Sequence, residues 1–401
     1  MVSLSTELRV EEDHDGPLPR GAGYTRPRVT LGINGWRILG QRTGVGRYLL
    51  EILRHWDDEL VRGRFDEIVL YTPRPVGDLG LPATIANRVL RPEARMLVWD
   101  NVAFGPRARH DVLFCPSFSR PLVVRGRPVV TIHEATYKLH PELLPRRGRL
   151  PAPRLYLRLY GWSGRHAAAV IASSNAARDD IARGYGVPEE RIHVCPLAPG
   201  AAFHEVDDPQ ALADVRRRYL GDDVPFFLHV GKLSPVRNVP RVVEALARAR
   251  RDARLPHRLV LVGAEEPGVD IGGLAQSLGV GGECIQPGFV PDEDLVLLYN
   301  AATAFVLPYT YQTVSLPPLE AVACGTPVVT VGTPALREIT GDAAHYVSAP
   351  DAAELADALR AIATDAAYAR SLAEQGRRFV AGLSWRRTAR DTLDVLAAAA
   401  A

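Results

Sequence analysis

Residues 308–329, PYTYQTVSLPPLEAVACGTPVV, combine a strand–loop–helix–strand pattern with a candidate site. An apolar strand over 304–308 runs into a polar loop, and a helix is predicted to begin near Leu316 with Pro317 and Pro318 in its first turn. Proline is tolerated there because first-turn N–H groups have no intrahelical partner and the fixed φ already suits a helix. The helix presents Glu320, stops at Cys324-Gly325 and gives way to a second apolar strand over 327–331. Together these elements make a place where backbone N–H groups and the positive end of a helix face an anionic ligand. A carboxylate one turn inside the helix can reach a hydroxyl beside that anion. The plainer reading is an ordinary βα unit of an α/β sheet.

Outward from this run, short apolar segments alternate with helical ones in two successive α/β halves. The first half has predicted strands at 29–33, 67–71, 111–115, 128–132, 168–172 and 191–195, with helices at 45–59, 154–161 and 175–184. The segment 197–224 reads as loop, polar helix and loop, and carries the domain change. The second half has strands at 225–230, 258–262, 283–286, 304–307, 327–331 and 344–347. Its helices include 239–251, 293–301, 316–323, 352–363 and 366–381. No GxGxxG fingerprint follows the first strand of either half, which weighs against a dehydrogenase.

Composition fits an enzyme of two domains. At 401 residues the chain exceeds the usual size of one core. Its hydrophobic fraction of 47% with 23% charged residues is globular, and a net charge of +2 gives no field that argues for nucleic acid. Of 48 basic residues only Lys138 and Lys232 are lysine. Cys115, Cys195, Cys284 and Cys324 are widely spaced in apolar surroundings, which suggests buried thiols in a reducing, cytoplasmic setting. No apolar run approaches transmembrane length. The first 26 residues are polar and acidic, and are expected to form a flexible arm, not a signal peptide or anchor.

The 308–329 run closely resembles the donor-site motif of retaining glycosyltransferases of family 4, which have the GT-B fold. That motif has two glutamates separated by seven residues, a glycine-rich loop between them, then LPPLEA and a small-Gly-Thr-Pro turn. The second glutamate is Glu320, the first is replaced by Gln312, and Thr313 and Ser315 stand where the family has loop glycines. Further segments resemble the same family. Residues 226–246, FFLHVGKLSPVRNVPRVVEAL, carry Lys232 and Arg237 where the family has a basic pair in the order Arg then Lys. Residues 129–144, VVTIHEATYKLHPELL, end an apolar strand in His133-Glu134 where the family has His-Asp. Residues 32–53, GINGWRILGQRTGVGRYLLEIL, hold a TGVGRY loop, and 171–200 hold a GVPxxRIxVxPxG-type linker after Ser173, Ser174 and Asn175. Those three are good N-cap residues, and capping alone explains them.

The resemblance covers residues 28–396 and implies two Rossmann-like domains facing across a cleft. The first, acceptor-binding domain would span 27–200 plus 385–401. The second, binding the nucleotide sugar, would span 201–384. The last helix, SWRRTARDTLDVLAAAAA over 384–401, would cross back to the first domain; its alternative is a plain terminal helix of the second. The implied activity is retaining, metal-independent transfer from a nucleotide-diphosphate sugar to a small-molecule or glycan acceptor. Expected catalytic residues are His133, Lys232, Arg237, Gln312 and Glu320, and expected donor contacts are Gly44, Gly46, Gly231, Thr313, Val314, Ser315 and Leu316. Gly44 and Gly46 are expected nearer the ligand than Arg47, which is free to point either way. The loop at 288–293 would hold the base, and specificity for the acceptor would lie near 35–47 and 99–107.

No resident cofactor or metal is expected. Of the two Asp-x-Asp triplets, 13–15 lies in the arm and 292–294 in a first helical turn, where acids are favoured anyway. No nucleic acid partner and no membrane span are expected, and a homodimer is left open. The neutral Gln312 adds an N–H donor and points to a deoxy or keto sugar donor, while alanine-rich, lysine-poor composition and the degenerate donor loop look like an antibiotic-type pathway. Polysaccharide mannosyl or glucosyl transfer would share most of the motifs. A catalytically silent relative, a sugar-nucleotide epimerase of GT-B type and a two-lobed binding protein remain as rivals.

Overall fold

The computed structural model describes residues 28–39, 44–144, 153–311 and 315–401. The expected N-terminal arm, Thr43 of the TGVGRY loop, and Gln312, Thr313 and Val314 lie outside the described residues.

The chain forms two parallel sheets, each wrapped by helices. The first contains β1 (Thr30–Asn34), β2 (Glu67–Thr72), β3 (Ile85–Val89), β4 (Arg109–Cys115), β5 (Arg125–Thr131), β6 (Ala169–Ala172) and β7 (Ile192–Val194), in the order β3-β2-β1-β4-β5-β6-β7. The second contains β8 (Phe226–Val230), β9 (Arg258–Val262), β10 (Cys284–Gly288), β11 (Ala304–Leu307), β12 (Val328–Val331) and β13 (Ala344–Val347), in the order β10-β9-β8-β11-β12-β13. The central strands are short and apolar because both faces are covered: every residue of β6, β11 and β12 is buried. In each sheet the order reverses once, between β1 and β4 and between β8 and β11. Such reversals open a crevice at the carboxyl ends of the strands, where ligands of α/β folds bind. The two crevices face each other.

The expected pattern of strands is present, with β3 in addition. The 99–107 segment, expected as an acceptor-facing loop, instead belongs to a helical run through Met96–Trp99, Asp100–Phe104 and Gly105–Arg107. The predicted 45–59 helix is two helices, Gly44–Arg54 and Asp58–Val61, because Asp57 starts a new one by accepting the Leu60 N–H at 2.9 Å. Helices Ile271–Ser277 and Pro334–Thr340 lie in stretches where none was expected. The linker holds the Pro209–Leu220 helix, capped by Asp208 and ended by left-handed Gly221.

The C-terminal helix, Trp385–Ala400, crosses back to the first domain. Trp385, Ala389, Leu393 and Leu396 are buried in one core with Leu49, Leu53 and Trp56 of the first domain. The Trp56 indole N–H donates to the Ala389 carbonyl at 2.9 Å, and Arg64 pairs with Asp394 at 2.7 Å. Leu319 and Ile339 of the second domain join that same core. The domains are thus connected at the linker and again before Trp385. Among the described residues no helix is long and apolar enough to cross a membrane.

Candidate active site

The second domain's side of the cleft is built at the β8/β11 reversal. Gly231 follows β8 with φ +150°, and a Cβ there would lie 2.7 Å from the Tyr309 hydroxyl and 3.1 Å from an Arg237 Nη. Only glycine allows the chain to pass so close to these two side chains. The turn Pro235–Arg237 then leads into the Val239–Ala253 helix through left-handed Asn238. Its side-chain amide donates to the Pro308 carbonyl at 2.9 Å and to Thr310 Oγ1 at 2.8 Å, tying the loop after β8 to the loop after β11. Arg237 donates to the Tyr309 hydroxyl at 2.9 Å, with its guanidinium 5.0 Å from that ring's centre. Its charge is thereby held at the mouth of the crevice. The Leu316–Ala323 helix starts beside it, with Pro317 and Pro318 in the first turn and no side-chain bond at the Ser315 cap.

The first domain contributes the carboxyl end of β5 and the start of the Gly44–Arg54 helix. His133 is 6% exposed, packed edge-on to Tyr48 at 4.9 Å and to Phe118 at 5.4 Å. Its Nε2 lies 3.3 Å from the Pro116 carbonyl, which can only accept, so the proton sits on Nε2. Nδ1 then faces the Ser173 hydroxyl at 3.4 Å. Burial lowers the His133 pKa to about 4, leaving a neutral imidazole at neutral pH. Glu134 accepts from the Thr136 hydroxyl at 2.7 Å; burial raises its pKa, while nearby Arg237 pulls it back.

Between these elements lies a cavity of about 370 Å³, walled by both domains. Gly44, His133 and Glu134 line it from one side, and Arg237, Ser315 and Leu316 from the other. It is of the size that small-molecule sites have. A Cβ on Gly44 would touch nothing within 4 Å, so that glycine lies against open space. Gly46 does not line the cavity. A Cβ there would lie 2.5 Å from the Arg37 carbonyl, so helix packing explains this glycine.

Glu320 lies one turn along the helix from Leu316, with 2% of its surface exposed. Its Oε2 accepts from the Tyr299 hydroxyl at 3.1 Å. Its Oε1 lies 3.3 Å from the guanidinium of Arg47, which reaches over from the first domain. Burial raises the Glu320 pKa, and Arg47 and Tyr299 oppose that shift. Arg47 also approaches Asp292 at 3.7 Å and covers the Phe203 ring at 5.3 Å. Lys232 is placed differently from Arg237: it is 45% exposed and pairs with Glu266 at 2.9 Å, outside the cavity wall. Asp292 and Asp294 face cations, since Asp294 binds Arg218 at 2.6 Å and Tyr219 at 2.7 Å. No group of three or more His, Cys, Asp or Glu among the described residues is arranged to hold a metal ion.

Of the expected site residues, then, Gly44, His133, Arg237, Ser315 and Leu316 meet at the cavity, whereas Glu320, Gly231 and Lys232 do not line it. The sequence left the direction of Arg47 open and did not single out Tyr299, Phe203 or Tyr309. Arg47 had a usable signal, because it lies three residues after Gly44 on the same helix face.

The chain matches two protein families, Glycosyltransferase Family 4 over residues 42–198 and Glycosyl transferases group 1 over residues 214–379. It is 28% identical over 323 residues to the O-antigen chain mannosyltransferase B of Escherichia coli, covering 75% of this chain and 82% of that one. It is 27% identical over 253 residues to the alpha-D-kanosaminyltransferase of Streptomyces kanamyceticus, covering 61% and 64%. Among solved structures it is similar to Anabaena HepE in complex with UDP-glucose, with a TM-score of 0.70 at 17% identity over 92% of this chain and 98% of that one.

Proposed function

The chain belongs to the family-4 glycosyltransferases of GT-B fold, and on that premise we propose that it moves a sugar, with retention, from a nucleotide-diphosphate donor to an acceptor hydroxyl in the interdomain cleft. The supporting observation is the 370 Å³ cavity at the carboxyl ends of both sheets, where Arg237, the Leu316–Ala323 helix start and neutral His133 converge. The second domain holds the nucleotide. Glu320 accepts hydrogen bonds from the ribose hydroxyls, and the base rests on the turn before Asp292. The diphosphate lies between Arg237 and the helix start, with Lys232 swinging from Glu266 to join it. No metal is needed, because fixed cations and backbone N–H groups meet the charge that grows on the leaving phosphate. Charge-assisted contacts of this kind strengthen as the transition state forms.

The acceptor enters from the first domain. Its hydroxyl oxygen bonds to the anomeric carbon on the face from which the phosphate departs. The carbon–phosphate-oxygen bond breaks, and the departing phosphate takes the hydroxyl proton. No enzyme nucleophile is used, so positioning and electrostatics account for most of the rate. His133, neutral and held by Pro116, orients a donor-sugar hydroxyl without adding a charge that would oppose the developing oxocarbenium ion.

Gln312 in place of the family's first glutamate favours a donor lacking a hydroxyl or bearing a keto oxygen, as in secondary-metabolite pathways. The second reading is transfer of an ordinary hexose such as mannose into a glycan, favoured by the similarity to the O-antigen mannosyltransferase. A panel of UDP-, GDP- and dTDP-linked sugars, assayed for nucleoside-diphosphate release with and without acceptors, decides between them. Preference for a plain hexose that Gln312→Glu leaves unchanged would retire the first reading.

A further inference from the structure

Arg47 is the only arginine that the Gly44–Arg54 helix points across the cleft among the contacts described, and everything it grips belongs to the other side. Its guanidinium lies 3.3 Å from Glu320, 3.7 Å from Asp292 and 5.3 Å from the centre of the Phe203 ring. Phe203 is buried in the second domain's core and meets Tyr299 edge-on at 5.8 Å, and Tyr299 donates to the same Glu320. Three groups of different chemistry, a buried carboxylate, a surface carboxylate and an aromatic face, thus form a socket for one cation. The socket is closed from outside by the cation itself: Arg47 keeps 27% of its side chain exposed while Glu320 beneath it keeps 2%.

We propose that Arg47 is a positioning residue that competes with the donor's ribose for Glu320, and so sets donor affinity and product release. This rests on the reading of Glu320 as the ribose ligand. Glu320 has two oxygens. Tyr299 donates to one, and Arg47 lies 3.3 Å from the other. Glu320 is only 2% exposed with Arg47 over its Oε1, so a ribose hydroxyl reaches that oxygen only when Arg47 moves aside. Because Arg47 is carried by the first domain and its socket by the second, parting the domains withdraws the cation and uncovers the carboxylate in one movement. Return of Arg47 to Glu320 after transfer helps expel the spent nucleoside diphosphate. An ordinary cationic ligand would do the reverse, strengthening nucleotide binding by its charge.

The two roles give opposite signs. UDP, GDP and dTDP are titrated calorimetrically into wild type, Arg47→Met, Arg47→Lys, Glu320→Gln and the Arg47→Met/Glu320→Gln double variant, each checked for cooperative thermal unfolding. Removing a partly exposed competing ion pair should tighten binding of the preferred nucleoside diphosphate about fivefold in Arg47→Met. Arg47→Lys, which restores the charge, should return it toward wild type. In the Glu320→Gln background Arg47→Met should change nothing. Steady-state donor KM should fall in Arg47→Met, and kcat should fall with it where product release limits turnover. Weaker binding in Arg47→Met, or tightening that persists without the Glu320 carboxylate, overturns the proposal. Unchanged affinity in Glu320→Gln overturns instead the placing of the ribose at Glu320. Should Arg47→Met fail to unfold cooperatively, Arg47→Gln serves the same comparison.

Discussion

Glu338 of the second domain accepts the backbone N–H of Asn175 at 2.6 Å and of Ala176 at 3.0 Å, so a carboxylate on one domain caps a helix of the other. Ser174 supplies the remaining cap by accepting the Ala177 N–H at 3.0 Å. Tyr311 adds a second clasp nearby, donating its hydroxyl to Asp180 and packing on His140 at 4.2 Å between ring centres. With Arg47 and Glu320 these contacts hold the two domains together across the cleft.

Glu338→Ala should therefore loosen the closed arrangement as well as the Asn175–Tyr185 helix. Loss of a cap of this kind costs about 1 kcal/mol, and the favourable helix-dipole contact goes with it. Small-angle scattering of the ligand-free variant should give a larger radius of gyration than wild type. An unchanged radius would mean that the clasp does not hold the domains closed.

Arg237 and Lys232 should differ. Arg237 already faces the cavity and is held by Tyr309, so Arg237→Ala should lower kcat/KM by roughly 2 to 4 kcal/mol of transition-state stabilisation. Lys232 must first leave Glu266, so Lys232→Ala should cost less, about 1 to 2 kcal/mol. Steady-state kinetics on the two variants would contradict this if neither changed turnover.

His133 should stay neutral throughout the working pH range. Burial lowers its pKa to about 4, against an ordinary value of about 6.5. For a group whose folded pKa is depressed, the contribution to stability is complete above pH 6.5 and declines as pH falls toward about 4. His133→Asn should remove one proton from that dependence, about 1.4 kcal/mol per pH unit across the window. Denaturant unfolding at pH 4.5 and 7 tests it, and an activity limb near pH 6.5 that vanishes in the variant would contradict it.

Leu393 on the crossing helix is fully buried in the first domain's core. Leu393→Ala should destabilise the protein by about 2 to 5 kcal/mol, through lost burial and a residual cavity. Urea unfolding that shows less than about 1 kcal/mol would mean that the site collapses freely.

Much of this was legible in the residues, and the reasons are local. The helix Leu316–Ala323 is marked at both ends, by paired prolines and by Cys324-Gly325, and its observed bounds match the expected ones. β3 escaped notice because only Ile85 of its five residues is buried, so an exposed strand at the sheet edge carries almost no apolar pattern. The helical run over 99–107 was not expected; Gly105 and Pro106 within it are loop-forming residue types accommodated at a junction of helical turns. His133 and Arg237 follow strands in the sequence and could be placed at strand ends. The Arg47–Glu320 pair could not, since two residues so far apart in sequence meet only once the domains close.

The most direct test of the account is the stereochemistry of the product. With the donor that the panel identifies, proton NMR should show the first-formed glycoside, or the first-formed free sugar when acceptor is withheld, with the anomeric configuration the donor had. An inverted product, or no nucleoside diphosphate released from any donor, would contradict retaining transfer in this cleft.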